Sequence, residues 1–194
     1  MKQSWKHYIS GLEKRDQQGL PINQISSVAS FFLSRIDILV DPFLEKNALS
    51  DLCGQVAIAS AKTAYQIYKR LFSSERWKKL AEKGAVAQRL LWASTSSKDP
   101  AFKDTRYVEA LIGPDTVNTI PLQTLEAFRD HGNPASRLEE NLDKAASILE
   151  KIKVGGIDME AVAVQLENEG IDKFTEPFQK LLDAIDNQKE QAGV

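Results

Sequence analysis

Two short apolar runs, LLWA at residues 90–93 and TVNTI at residues 116–120, each stop abruptly at hydroxyl, amide or lysine side chains. They lie within QRLLWASTSSKDPAFKDTRYVEALIGPDTVNTIP, residues 88–121. Runs of this length separated by helical patterns read as strands of an α/β layer, paired in parallel through crossover connections. In such layers, polar groups at the carboxyl ends of the strands are where ligands sit. The stretch therefore fixes the fold class as α/β and points to a site.

The rest of the chain agrees with that frame. Trp5, Tyr8, Ile9 and Leu12 recur at helical spacing, and Gly19 with Pro21 punctuates the end of that helix. ISSVASFF, residues 25–32, has the length and the β-branched and aromatic content of a strand, and Ile36, Leu39, Val40, Phe43 and Leu44 then turn helical. Residues 52–72 predict one long amphipathic helix that carries Cys53 on its apolar face, followed by a shorter helix through Trp77 and Leu80 that ends at Gly84. Gly113, Pro114 and Asp115 introduce the strand at 116–120, and Pro121 opens a helix with Leu122, Leu125 and Phe128 as its apolar face. Beyond His131 and Gly132 the pattern is wholly helical: a stripe from Leu138 to Ile152, then separate helices at 157–166 and 171–185, with breaks at Gly155, Gly156 and Gly170. Residues 187–194 hold nothing apolar enough to anchor them except Val194, and a frayed tail is expected.

Composition excludes several functions. The formal net charge of −2, from 25 basic and 27 acidic residues, provides no basic stripe for nucleic acid. No apolar run approaches the ~20 residues that span a bilayer, and MKQSWKHYIS lacks the core of a signal peptide. A single cysteine, Cys53, cannot form an internal disulfide and reads as an inert thiol, so a reducing cytoplasm is the expected setting. His7 and His131 have no carboxylate or cysteine spacing that would make a metal site or a triad, and no cofactor is expected. Trp5, Trp77 and Trp92 read as core.

SSVASFFLSRID, KGAVAQRLLWASTS, YVEALIGPDTVNTIPLQTLEAFRDHG and the tail from GIDMEAV to EGIDKF together resemble bacterial transaldolase, in a branch that also occurs fused to phosphoglucose isomerase. The likeness runs from about Tyr8 to Ile185, but only to the carboxyl-terminal half of that family. It implies part of a (β/α)8 TIM barrel, strands six to eight with their helices, over residues 1–135, and a helical extension packed on the barrel over 136–194. The implied function is transfer of a dihydroxyacetone unit between sugar phosphates in the pentose phosphate pathway, from sedoheptulose 7-phosphate and glyceraldehyde 3-phosphate to erythrose 4-phosphate and fructose 6-phosphate.

The family works through a Schiff base on a barrel lysine, with a nearby glutamate and a first-strand aspartate, and the resemblance aligns none of these with this chain. Covalent aldol chemistry needs a desolvated amine and a carboxylate relaying protons. Lys62, on a helix position that reads as outer surface, and Lys98, in a solvated loop, meet neither need. Catalysis by this chain alone is therefore not expected. The rival reading is a non-catalytic phosphate-binding or assembly module, or the remnant of a truncated gene.

What the resemblance preserves is the phosphate end. A serine closing the sixth strand, an aromatic and an arginine line the family's pocket, and they fall here on Ser30, Phe32 and Arg35. By its residues alone, Arg35 admits two readings: an anion ligand near a helix start, with a guanidinium fork matched to phosphate oxygens, or an ion pair with Asp37 or Asp41. After the seventh strand, Ser94 and Lys98, with Thr95, Ser96 and Ser97 between them, offer hydroxyls, amides and a cation where barrels bind phosphate. Asp99 departs from the asparagine more usual in the family and adds a negative charge there. Asn118 either points into the barrel or satisfies the strand end.

Three strands of a barrel that needs eight leave open edges. Val28, Leu91 and Val117 would face no opposing wall. The expected partners, besides sugar phosphates, are a separately encoded amino-terminal half or a second copy of the chain.

Overall fold

The computed structural model describes residues 2–192. The chain divides into two compact units, Met1–Gly155 and Gly156–Val194. The first carries α1 (Lys2–Gln17), β1 (Val28–Phe32), α2 (Leu33–Lys46), a 3-10 turn (Ser50–Leu52), α3 (Val56–Phe72) and α4 (Glu75–Ala81). It continues through β2 (Arg89–Ala93), α5 (Arg106–Ala110), β3 (Thr116–Asn118), α6 (Leu122–His131) and α7 (Leu142–Val154). The second unit is α8 (Met159–Ala192). No helix among the described residues is long and apolar enough to cross a membrane.

The three strands form one parallel sheet in the order β1-β2-β3, an α/β arrangement consistent with part of a (β/α)8 barrel. Register pairs Ala29 with Leu90 and Leu90 with Thr116, which aligns one face of the sheet; Phe31, Trp92 and Asn118 continue it. Ala29, Leu90 and Trp92 on this face are buried, and Trp92 meets Phe31 edge-on at 5.9 Å between ring centroids. The other face carries Val28, Ser30 and Phe32 beside Leu91 and Val117. Val28 is 40% exposed there, as expected of a sheet with no opposing wall.

Beneath the sheet, α3 contacts β2 and is flanked by α1, α2, α4 and α7. Trp5 on α1 packs on Tyr68 and Phe72 of α3, and Phe72 meets Trp77 of α4 edge-on at 4.7 Å. Ile9, Leu12, Ile22, Trp77 and Leu80 form a buried cluster at the amino ends of β1 and β2. Tyr8 Oη ties both strand entries by donating to Val86 O at 2.7 Å and Ile25 O at 3.3 Å. All three tryptophans are core.

Several boundaries differ from the sequence reading, each for a local reason. The long helix predicted from residue 52 begins at Val56, because Gly54 takes φ +67° and turns the chain after the 3-10 segment. Cys53 therefore lies in that turn, half-buried, with Sγ 3.8 Å from Asp41 O. Leu138 precedes α7; its N–H donates to Ile112 O, and its side chain fills the space above Gly113. Gly170 does not break the carboxyl-terminal helix: α8 runs unbroken through it, because a glycine stops a helix by adopting positive φ and Gly170 does not. Helix also continues through residues 187–192, where fraying was expected, while Gly193 and Val194 lie outside the described residues.

Candidate functional site

β1 runs into α2 without a loop, so Phe32 is at once the strand's last residue and the helix N-cap. Two residues on, Ser34 N–H donates to Ser94 O at 3.1 Å, joining the start of α2 to the end of β2. Ser94 takes φ +54°, which swings the chain away from the strand direction. Thr95, fully buried, donates its hydroxyl to Thr119 O at 3.3 Å, and Thr119 returns its N–H and hydroxyl to Trp92 O at 3.0 and 3.2 Å. The carboxyl ends of all three strands are thus laced together by short-range bonds.

Arg35 sits on this edge, with its guanidinium carbon 4.7 Å from the centroid of the Phe32 ring. Neither acid that could have neutralised it does so. Asp37, 4% exposed, accepts from Tyr107 Oη at 2.6 Å and Ala57 N–H at 2.8 Å, and Asp41 accepts from Gly54 N–H at 3.0 Å. Arg35 makes no ion pair among the described residues. Ser30 and Lys98 are exposed and Ser94 half-buried. Asp99 turns its carboxylate back onto Ala101 N–H at 2.8 Å, and its carbonyl accepts from Ser97 Oγ at 3.0 Å, so the loop before α5 closes on itself.

Phe32, Arg35 and Ser94 therefore lie at the carboxyl ends of β1 and β2, with Lys98 four residues beyond Ser94; Ser30 does not close the strand as expected but sits two residues inside it, opposite Leu91, because β1 runs on to Phe32. Asn118 is not with them: the register aligns it with Trp92 on the covered face, and its buried Oδ1 has no hydrogen-bond partner among the described residues. Lys62 also differs from its reading as outer surface. It is 7% exposed and donates to Arg137 O at 2.7 Å and Glu140 O at 2.6 Å, two carbonyls presented by the turn before α7. His131 closes α6, with Nε2 2.9 Å from Asp104 Oδ1. No group of histidine, cysteine and carboxylate side chains among the described residues could hold a metal.

Behind the edge lies an acid network that sequence reasoning missed. Burial raises the Asp37 carboxyl above the usual range, against the bonds from Tyr107 and Ala57. Burial likewise carries Asp41 to about 6, with the charge of Asp37 adding to the effect. The Tyr107 hydroxyl is pushed strongly upward by burial and by Asp37. Arg106 supplies counter-charge to both acids; it donates to Gly54 O and stacks on Phe102 at 3.9 Å. A signal was present: Asp37 falls on the buried stripe of α2 with Leu33, Ile36, Val40 and Leu44, where a carboxylate must find donors.

A parallel α/β layer with hydroxyls, a ring-stacked arginine and a lysine-bearing loop at its strand ends belongs to the barrel-like class that assembles sites at that edge. A family model described as transaldolase/fructose-6-phosphate aldolase matches residues 8–185. The chain is 47% identical to Transaldolase 2 of Nostoc punctiforme over 195 residues, covering 93% of this chain and 51% of the relative. Against the transaldolase of Trichodesmium erythraeum the identity is 46%, with coverage of 93% and 51%, and against that of Thermobifida fusca 44%, with 93% and 50%. The chain belongs to the transaldolase/fructose-6-phosphate aldolase family. It spans about half the length of the curated relatives it matches.

Proposed function

We propose that this chain forms the phosphate-holding wall of a cytoplasmic transaldolase barrel, its strands standing as the sixth to eighth, and that dihydroxyacetone transfer between sugar phosphates requires a second segment bearing the Schiff-base lysine. Ser30, Arg35, Ser94 and Lys98 contact the substrate phosphate, and Phe32 lines the pocket while holding the Arg35 guanidinium flat. The observation that carries this reading is Arg35 itself. It is a fork of donors at the strand ends with both neighbouring acids committed elsewhere, and so it is free to take a phosphate in bidentate fashion.

In this reading neither Lys62 nor Lys98 supplies the amine. Lys62 spends two of its N–H groups on backbone carbonyls outside the sheet, and Lys98 stands exposed in the loop after β2, with no pocket around it to hold a carbonyl substrate. The bare face of Val28 and Phe32 and the exposed Leu122 and Leu125 of α6 supply the apolar surface that a complementary half would cover.

Borohydride trapping with fructose 6-phosphate tests both parts. The chain alone should give no adduct by mass. Mixed with the amino-terminal half of the Nostoc punctiforme relative, it should give an adduct on that half, lost or strongly reduced when this chain carries Arg35→Ala. An adduct on the lone chain would overturn the missing-amine reading. Undiminished trapping in the Arg35→Ala mixture would overturn the phosphate assignment.

A further inference from the structure

A cleft of about 270 Å³ opens between α3 and α7. Gln55, Ile58, Ala59 and Lys62 line it from α3, and Asn141, Lys144, Ala145 and Ile148 from α7, with Arg106 reaching in from α5. Three cations and no carboxylate face this space. One of them has a donor to spare: Lys62 uses two of its three N–H groups, on Arg137 O and Glu140 O. The amino end of α7 opens on the same cleft, and its N-cap, Asn141, is left-handed at φ +54° and makes no side-chain cap, so first-turn N–H groups are left without that acceptor.

The acids that act on two of these cations stand outside the cleft lining. Glu140 acts on Lys62 from the turn before α7, Asp37 and Asp41 act on Arg106 from α2, and Asp143 lies in the first turn of α7 without lining the cleft. Burial still holds the Lys62 ammonium below the usual lysine range, so its charge is under-compensated. Buried donors without acceptors are costly, and a tetrahedral oxyanion accepting several hydrogen bonds is what would satisfy this set together.

From this geometry we infer that the α3–α7 cleft is a second anion site, taking the phosphate of a small phosphate monoester whose organic body packs on Ile58, Ala59, Ala145 and Ile148. Lys62, Arg106 and Lys144 bind the phosphate. The site is separate from the strand-end edge, and it stands or falls independently of the function proposed above.

The test is amide chemical-shift mapping on the full chain, titrated with inorganic phosphate and with phenyl phosphate, in the wild type, Arg35→Ala and Lys144→Gln. Lys144 is exposed and makes no hydrogen bond among those described, so its substitution leaves the fold intact. Phosphate should shift Ile58, Lys62, Lys144 and Ala145 in the wild type and equally in Arg35→Ala, and Lys144→Gln should weaken those shifts about tenfold. Phenyl phosphate should bind the cleft more tightly than inorganic phosphate. Shifts confined to Ser30, Ser94 and Thr95, or cleft shifts unchanged in Lys144→Gln, would overturn the inference while leaving the strand-end reading intact.

Discussion

Removing the Tyr107 hydroxyl isolates the bond that braces α5 against α2 behind the strand ends. In Tyr107→Phe the ring packing is kept and one oxygen is lost, so no cavity of consequence forms. What disappears is a 2.6 Å hydrogen bond to Asp37, a buried carboxylate left with the single donor Ala57 N–H. A hydrogen bond to a charged group contributes about 1.5–3 kcal/mol net, so about 2 kcal/mol should be lost at pH 7.5. For a chain of this size that is roughly 4–8 °C in Tm. The sign with pH follows from burial, which raises the folded-state pKa of Asp37. The stability contributed by that raised pKa is fully present below the unfolded value of 3.8 and is lost as pH rises through the folded value. The Tyr107 bond opposes the raising, so its loss should cost most where Asp37 is ionised. The cost should shrink toward that of a neutral hydrogen bond, about 1 kcal/mol, in acid. Urea unfolding followed by the fluorescence of buried Trp5 and Trp92, at pH 7.5 and pH 4, gives both numbers. A loss under about 0.5 kcal/mol at pH 7.5, or a loss larger at pH 4 than at pH 7.5, would refute the assignment of Tyr107 as donor to a buried carboxylate.

Asp41, raised to about 6 by burial, contributes stability that is present below 3.8 and lost as pH rises through 6. Asp41→Asn keeps an acceptor for Gly54 N–H, so urea midpoints between pH 4 and 7 should fall less steeply in the variant; an unchanged slope contradicts the pKa assignment. Gly54→Ala must place a Cβ at φ +67° and 2.6 Å from the Phe102 ring. It should cost about 2–4 kcal/mol by urea unfolding, whereas Gly11→Ala, with open space at its Cβ, should be neutral or slightly stabilising.

The strands and most helices were legible because their periodicities are local: TVNTI and LLWA differ in pattern from the stripes around them, and Gly19 and Gly84 end helices as positive-φ glycines do. The exceptions share a cause. Lys62 read as surface because nothing within a turn of it betrays the carbonyls of Arg137 and Glu140, more than seventy residues away, that draw it inward. Asp37 likewise finds its donor in Tyr107, seventy residues on. The five-residue α5 was too short to carry a period. Leu122 and Leu125 were read as the apolar face of α6, yet Leu122 is 71% exposed and the helix buries Thr124 instead, because a sequence records which residues are apolar and not which face the chain covers. At the candidate site, Ser94 and the loop after it were legible from the strand-end rule and Ser30, Phe32 and Arg35 only through the resemblance, whereas the side on which Asn118 falls depended on register, which one residue of slip inverts.

The two parts of a barrel active site differ in how far their geometry must reach. Here the strand-end edge is fixed by bonds between immediate neighbours: Ser34 to Ser94, Thr95 to Thr119 and Thr119 to Trp92, with Arg35 held by the ring three residues before it. None of these contacts involves anything beyond the three strands and the segments that leave them, so the edge can be built by half a barrel. An amine desolvated for Schiff-base chemistry is a different matter, because it must be enclosed, and enclosure needs the opposing wall that Val28 and Phe32 face without. The phosphate recognition proposed for this edge is thus separable from catalysis on physical grounds. The prediction that Arg35→Ala affects trapping only in the presence of the second segment rests on that separation.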